Sequence, residues 1–426
     1  MLTSPRAVLH RTDPILRVLG LSTLIGTLGR GVFLTVTVLY FSFVVGLSDA
    51  QLSIVVAASS ATGILTSIVG GHLADRFSAR RVLLVILMIE SAALASYAMV
   101  GAFWMAVAVA CLAFGSEAAA HSARSAIIAR GFTGPDRVGA RAVLRTITNV
   151  GIAVGSAAGG LALAVDTPAA YRAILVSAGV VYLGASLLTL RLPASVDAAA
   201  GHGAAADAPV EQALDAAKPS RWAHSPWRDP RYLLFSALGG VFAMQFGLLE
   251  FGVPLWVAHD TAAPKSIVSV LLILNTVIVI AFQVPLSRGT HDLRVAGRVI
   301  GIAGVLMAGA CLVYGSAAGI PPAWAVVVLL TAGTAHAFAE VLSQAGVWGL
   351  SFELADPVAA GAYQGMGGTF YSLGATAAPF VVTGTALASG MLGWVVLAAV
   401  FLLSAVGMTV IAVRAANATD AERASP

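Results

Sequence analysis

Charged residues are scarce in this sequence of 426 residues, at 10% of the chain against 58% hydrophobic residues. Soluble domains carry about 25% charged residues, and a water-soluble fold of this size could not cover its surface with so few. The deficit extends along nearly the whole chain. The composition therefore excludes an ordinary soluble protein and indicates many membrane-crossing segments, each needing about 20 apolar residues.

Lysine and cysteine are also nearly absent, and this removes several classes of site. The two lysines, Lys218 and Lys265, belong to no G-x-x-x-x-G-K-[ST] loop, which excludes an ATP-driven pump. Cys111 and Cys311 lie singly in apolar runs, which is typical of small packing residues rather than a disulfide or metal site. No H-E-x-x-H motif occurs, which excludes a metalloprotease of that type. We expect no enzyme, metal or cofactor.

What is present is a succession of long apolar runs. They show no alternation and are rich in Leu, Ala and Gly, so we interpret them as helices. The predicted fold class is an all-α membrane protein with twelve transmembrane helices in two six-helix pseudo-symmetric bundles. The predicted spans are 15–45, 51–71, 82–101, 104–129, 142–165, 170–190, 232–257, 266–286, 296–316, 322–349, 360–387 and 391–413.

A polar segment divides the chain into two halves. It is rich in Ala, Asp, Gly and Pro and lacks an apolar run of 20 residues, which is typical of a flexible linker. We predict an N-terminal six-helix bundle over 1–191, a cytoplasmic linker over 192–230 and a C-terminal six-helix bundle over 231–426.

The distribution of basic residues predicts the orientation. The loops on one side of the predicted spans hold only Arg172 and Lys265. Because positive residues favour the cytoplasmic side, we expect both termini and the linker to be cytoplasmic, in the plasma membrane (a bacterial inner membrane). The net charge of +4 thus reflects topology and not a nucleic-acid partner. The basic residues on the other side include Arg6, Arg11, Arg17, Arg76, Arg80, Arg81, Arg130, Arg137, Arg141, Lys218, Arg288, Arg294 and Arg414.

An internal repeat relates the two halves. Matching residues recur 216 to 223 positions apart, and equal numbers of predicted spans separate them, which indicates parallel repeats about an axis normal to the membrane. A channel or receptor is a competing interpretation, but a two-fold repeat favours alternating access. The matched pairs are Asp13 with Asp229, Asp75 with Asp292, Arg81 with Arg298, Glu117 with Glu340, Pro135 with Pro357, and Gly139 with Gly361.

Residues 70–81 read GGHLADRFSARR, which resembles the signature of the major facilitator superfamily between spans 2 and 3. The glycine usually found between Asp-Arg and the basic pair is missing, with Ser78 and Ala79 in its region. The resemblance implies a loop that gates alternating access through an ion-pair cluster. The alternative is a basic loop that only sets topology. The matching residues are Gly71, Asp75, Arg76, Arg80 and Arg81.

The fifth span reads NVGIAVGSAAGG, which resembles the antiporter signature G-x-x-x-G-P-x-x-G-G of the same superfamily, with Ser156 in place of the proline. The resemblance implies export, as in bacterial drug and metabolite efflux members. The alternative is close helix packing alone, since small residues four apart let helices approach. The residues of this signature are Gly151, Gly155, Gly159 and Gly160, with Pro379 at the equivalent site of span 11.

Ionisable residues inside the predicted spans are the candidate site. At the centre of a span, each ionisable residue raises the free energy of membrane insertion by roughly 2.5–3.5 kcal/mol. Such residues therefore usually face the bundle interior. In the superfamily, spans 1, 4, 7 and 10 line the cavity, and all of these charges except Glu90 lie there. We interpret Glu90 as structural. The candidates for substrate binding and proton coupling are Arg30, Glu117, His121, Arg124, Glu250, His336 and Glu340.

The predicted function is proton-coupled antiport of a small organic molecule. Glu117 is the first candidate proton carrier and Glu340 the second, with Arg30 and Arg124 tuning or pairing with them. Static ion pairs that fix helix packing are the alternative for these residues. A proton-coupled symporter for nutrient uptake is the rival function. The expected partners are the substrate, protons and the lipid bilayer, with the protein a monomer.

Overall fold

The computed structural model describes residues 13–163, 167–197 and 224–424. Most of the predicted linker, 198–223, lies outside the described residues, as do Arg6, Arg11 and Lys218. Over the described residues the chain is helical and contains no strand, apart from an isolated bridge between Thr261 and Ala318. The all-α prediction is confirmed.

Six long helices precede the linker. Pro14 and Pro168 open two of them, where proline costs no hydrogen bond. Ser48 opens α2 with a capping box, since its hydroxyl accepts from the Gln51 N–H and the Gln51 side chain accepts from the Ser48 N–H. The helices are α1 (Pro14–Leu39, continued by a π-helical segment Tyr40–Val45), α2 (Asp49–Arg76), α3 (Ala79–Ser96), α4 (Phe103–Gly131), α5 (Pro135–Leu163) and α6 (Pro168–Leu188).

Six more follow the linker. Asp229 and Asp292 cap two of them through their carboxylates. These helices are α7 (Pro230–Asp260, with a π-helical turn at Leu248–Gly252), α8 (Ile267–Leu286), α9 (Leu293–Gly315), α10 (Pro322–Glu353), α11 (Ala360–Val382, continued by a π-helical segment Thr383–Leu387) and α12 (Met391–Ala424).

Eleven of the described helices are long and apolar enough to cross a membrane. The remaining long helix, α5, has 29 residues but carries Arg137, Arg141 and Arg145 in its first turns. The helix begins at Pro135, seven residues before the start of the predicted fifth span at 142, because it includes a polar segment that precedes the apolar run. The count of twelve transmembrane helices stays a prediction.

The chain forms two compact units. Among the described residues, unit 1 comprises the chain up to Thr133, Val143–His224 and Pro357–Gly365; unit 2 comprises Gly134–Ala142, Ser225–Asp356 and the chain from Met366. In unit 1, α1 packs on α6, α3 on both α4 and α6, and α2 on α4. In unit 2, α7 packs on α12, α9 on both α10 and α12, and α8 on α10. Each pairing in unit 1 thus has a counterpart six helices later in unit 2, as a parallel repeat requires.

Candidate functional site

Helices α1 and α4 bring Arg30 and Glu117 together inside unit 1. A guanidinium nitrogen of Arg30 contacts a carboxylate oxygen of Glu117, and the two side chains are 32% and 31% exposed. Phe33 and Phe114 line the same small cavity. The ion pair is therefore partly screened from water by aromatic side chains.

Glu90 of α3 joins this cavity, although the sequence analysis interpreted it as structural. It is buried and lines the cavity together with Tyr182 of α6, whose hydroxyl donates a hydrogen bond to it. Arg30 and Arg124 both interact electrostatically with Glu90. Glu90 lies outside spans 1, 4, 7 and 10 and was therefore not among the predicted site residues, and no sequence pattern pointed to Tyr182. The carboxylate within an apolar run was the available signal for Glu90.

Arg30, Glu90, Glu117 and Arg124 make up what we term the unit 1 charge cluster. It carries two positive and two negative charges when both acids are ionised. Uptake of a proton by either acid leaves one positive charge unbalanced in a poorly hydrated site. Because Arg30 interacts with both acids, protonation of one favours its pairing with the other. The cluster can therefore exchange a proton by changing ion-pair partners.

The three ionisable residues spaced along α4 differ in burial. Glu117 and Arg124 are half-buried, whereas His121, one turn after Glu117, is exposed. The main-chain carbonyl of His121 accepts a hydrogen bond from the Ser125 hydroxyl. The structure thus brings Glu117 and Arg124 into the unit 1 charge cluster.

In unit 2, His336 and Glu340 of α10 are both buried, at 1% and 3% exposure. The side-chain amide of Asn275, on α8, donates to a carboxylate oxygen of Glu340 at 2.9 Å. His336 and Glu340 interact electrostatically, as their spacing of four residues on one helix face allows. Glu250 is exposed and lies in the π-helical turn of α7. The asparagine within the apolar run of α8 was the available sequence signal for this contact.

Asp75, at the end of α2, caps the start of α11 within unit 1. Its carboxylate accepts from the main-chain N–H of Gly361 at 2.9 Å and of Ala362 at 2.6 Å. The guanidinium of Arg130, at the end of α4, also contacts it. The free N–H groups and positive dipole end of a helix favour a carboxylate at this position. The carboxylate therefore binds both a helix end and an arginine.

The other arginines of this loop have different contacts. Arg80 binds the segment that follows α6, since its guanidinium donates to the Leu192 carbonyl at 3.0 Å and its main-chain N–H donates to Asp197 at 3.1 Å. The Arg76 guanidinium lies 5.5 Å from the ring centroid of Phe77. Arg81 is exposed. The arginine that contacts Asp75 is thus Arg130, which the sequence analysis placed only among the basic loop residues.

Gly71 is required where α2 meets the start of α11 inside unit 1. A β-carbon added to Gly71 would overlap the carbonyl oxygen of Gly361, and one added to Gly361 would overlap the Gly71 carbonyl and the Asp75 carboxylate. The two backbones therefore touch without side chains between them, which holds the Asp75 carboxylate against the N–H groups of α11.

The glycine signature of α5 packs against α1. A β-carbon on Gly151 would meet the Thr27 side chain, and one on Gly155 would overlap the Leu28 carbonyl. Ser156, in the place of the signature proline, donates its hydroxyl to the Gly31 carbonyl at 3.1 Å. Gly159 is buried, whereas Gly160 is exposed and has open space around it.

The corresponding packing in unit 2 joins α7 and α11. A β-carbon on Gly247 would overlap that of Ala378 and lie 3.8 Å from the Pro379 ring. Pro379 lies inside α11 and is followed by the π-helical segment Thr383–Leu387. Proline cannot donate to the preceding turn, which favours a local change of helix geometry.

Solved structures show the same fold at low sequence identity. The human organic anion transporter MFSD10 (TETRAN) has a TM-score of 0.64 and 17% identity, with 95% of this chain and 100% of that chain covered. The proton:xylose symporter XylE has a TM-score of 0.66 and 14% identity, covering 92% and 95%. The transporter FucP, in the outward conformation, has a TM-score of 0.66 and 14% identity, covering 94% and 98%. No curated protein matches the chain.

The sequence pattern of one family matches most of the chain. That family is the Major Facilitator Superfamily, and the match covers residues 19–379 of 426. It includes the loop that holds Asp75, the charged residues of α1 and α4, and the His336 and Glu340 pair. The chain belongs to the Major Facilitator Superfamily, whose members are transporters and not enzymes.

Proposed function

We propose that this protein is a secondary active transporter that exports a small organic molecule by alternating access, coupled to protons. The observation that carries the proposal is the Arg30–Glu117 ion pair in a cavity that also contains Glu90. Charged side chains inside membrane-spanning helices are costly, and such residues usually mark substrate or ion pathways. The protein acts as a monomer in the plasma membrane, with both termini cytoplasmic.

The proton step follows from the charge balance of the unit 1 charge cluster. When Glu117 takes a proton, Arg30 loses its direct partner and pairs with Glu90. A cationic or polar substrate that enters the cavity competes with that proton for the carboxylates. Substrate binding from one side then releases a proton, and substrate release on the other side lets the proton return.

The gating step uses the contacts of Asp75. The carboxylate binds the first N–H groups of α11 and Arg130. Breaking these charged hydrogen bonds costs about 1.5–3 kcal/mol each, which is enough to favour one arrangement of the helix ends without making it permanent. We propose that α2 and α11 part here in each transport cycle.

Uptake by proton symport is the second candidate. XylE is a proton:xylose symporter, and Ser156 departs from the antiporter signature at its proline. Deleting the gene distinguishes the two directions. Increased sensitivity to a toxic compound supports export, whereas loss of growth on a nutrient supports uptake.

Neutralising the proton carriers is expected to uncouple transport. In proteoliposomes, Glu117→Gln should abolish concentrative transport driven by a pH gradient, because glutamine cannot exchange a proton, and Glu340→Gln should reduce it. The substrate for this assay comes from a screen for compounds that stabilise the purified protein against heat. The matched control is Glu422→Gln, an exposed glutamate at the end of α12, which should transport as the wild type. Full coupling in both Glu117→Gln and Glu340→Gln would exclude both residues as carriers.

A further inference from the structure

Unit 2 contains a row of polar groups along one face of α10. The row consists of the side chains of His336, Glu340 and Ser343, with Gly333 at its beginning. The spacings of three, four and three residues place these positions on one side of a helix. With a rise of 1.5 Å per residue, the row is about 15 Å long. Residues from α7, α8 and α9 face it.

Several of those facing residues are polar, although the Leu271 side chain of α8 also packs against Gly333. The Tyr314 hydroxyl of α9 lies 3.6 Å from the position that a β-carbon on Gly333 would take, and its ring centroid is 6.1 Å from that of His336. The amide of Gln245, on α7, donates to the Ser343 hydroxyl at 3.1 Å, and Ser343 donates to the Glu340 carbonyl. Asn275 binds the Glu340 carboxylate from α8.

Four side-chain atoms in and opposite this row make no hydrogen bond of standard geometry with the described residues. They are Nδ1 and Nε2 of His336, the Tyr314 hydroxyl and Oε1 of Gln245. All three side chains are at most 1% exposed. The main chain of Gln245 approaches the imidazole, but no group meets either ring nitrogen in hydrogen-bond geometry. The Cys311 thiol, also buried, is the other ionisable group near Tyr314.

Such a concentration of unsatisfied groups is unfavourable in a dry interior. Buried polar atoms without a protein partner are usually satisfied by ordered water, and one water molecule serves two to four of them. Four such atoms on three adjacent helices, next to a carboxylate, provide the polar lining that a buried water needs, whereas apolar cavities stay dry.

We propose that Tyr314, His336, Glu340 and Gln245 line a chain of buried water molecules along α10. The ligand of this site is water. The chain gives Glu340 a polar connection through His336 towards Tyr314, with the imidazole accepting at one nitrogen and donating at the other. Its use as a route for protons to Glu340 rests on the proposed function, whereas its existence does not.

Two measurements on the purified full-length protein test for the water. In X-ray radiolytic footprinting, buried water forms hydroxyl radicals that oxidise adjacent side chains. Tyr314 should therefore be oxidised faster than Tyr40. Both rings are fully buried, but the Tyr40 hydroxyl donates to the main-chain carbonyls of Ala98 and Val100. Equal, slow oxidation of the two tyrosines would contradict the proposal.

Thermal unfolding provides the second measurement. Tyr314→Phe should lower Tm by about 1–2 °C, because it removes a hydrogen bond to water, and Tyr40→Phe should lower Tm similarly. Removing an unsatisfied hydroxyl from a dry site would leave Tm unchanged or raise it, and this result overturns the proposal. Neither measurement involves transport, so loss of coupling in the glutamate variants and absence of the water are separate outcomes.

Discussion

Replacing Gly155 by alanine should destabilise the protein by about 3 kcal/mol, the upper part of the usual range for overpacking. The added β-carbon would overlap the carbonyl oxygen of Leu28 and lie 3.0 Å from its α-carbon. These are main-chain atoms of α1, so no side-chain rotation relieves the overlap. Helices α1 and α5 must then move apart. This movement also breaks the hydrogen bond from the Ser156 hydroxyl to the Gly31 carbonyl.

Gly160→Ala is the matched control for this prediction. Gly160 lies on the same helix and is exposed, and a β-carbon added to it would have no neighbouring atom within 4 Å. Alanine favours a helix over glycine by about 0.8–1.0 kcal/mol at either position. The two variants therefore differ in the steric overlap, which only Gly155→Ala introduces. Tm of the purified variants measures the difference. If both substitutions leave Tm unchanged, the result contradicts the close packing of α1 against α5 at Gly155.

Asp75→Asn should loosen the start of α11. Asparagine keeps the shape of the side chain but loses the charge that Arg130 binds, and only its carbonyl oxygen can accept from Gly361 or Ala362. Charged hydrogen bonds contribute about 1.5–3 kcal/mol each, so local opening should become at least about tenfold more frequent. Hydrogen–deuterium exchange of a peptide covering 357–365 measures this directly, without a substrate.

Asp292→Asn is the matched control, because the repeat pairs Asp292 with Asp75. Asp292 is exposed and caps α9 by accepting from the N–H groups of Arg294 and Val295. Asparagine caps helices about as well as aspartate, so exchange at 357–365 should match that of the wild type. Unchanged exchange in Asp75→Asn as well would show that its carboxylate does not hold this helix end.

The sequence predicted the helical architecture well because each apolar run is long and continuous. It could also locate the charged residues on α1, α4 and α10, since a charge inside such a run is conspicuous. It suggested Arg30 as a partner of the candidate proton carriers, in agreement with the Arg30–Glu117 ion pair, but it did not bring Glu90 into the site. Glu90 lies on α3, and its place beside Tyr182 and Arg30 depends on how α3 and α6 are rotated, which one sequence does not specify.

The same limit applies to the gating loop. The pattern at 70–81 drew attention to the arginines next to Asp75, yet its partner Arg130 is 55 residues away. Neighbours in sequence at a helix end point in different directions, so proximity along the chain is a poor guide to ion pairing. The polar atoms around α10 that lack hydrogen-bond partners could not be predicted from the sequence either. Whether such an atom finds a partner depends on how three helices pack together.

The division of the chain into units has a consequence for biosynthesis. Unit 1 includes Pro357–Gly365, and the N–H groups that bind the Asp75 carboxylate belong to that segment. A ribosome must therefore synthesise 365 of the 426 residues before unit 1 is complete. Until then, the Asp75 carboxylate lacks the two main-chain donors of α11, and Arg130 is the ion-pair partner already synthesised.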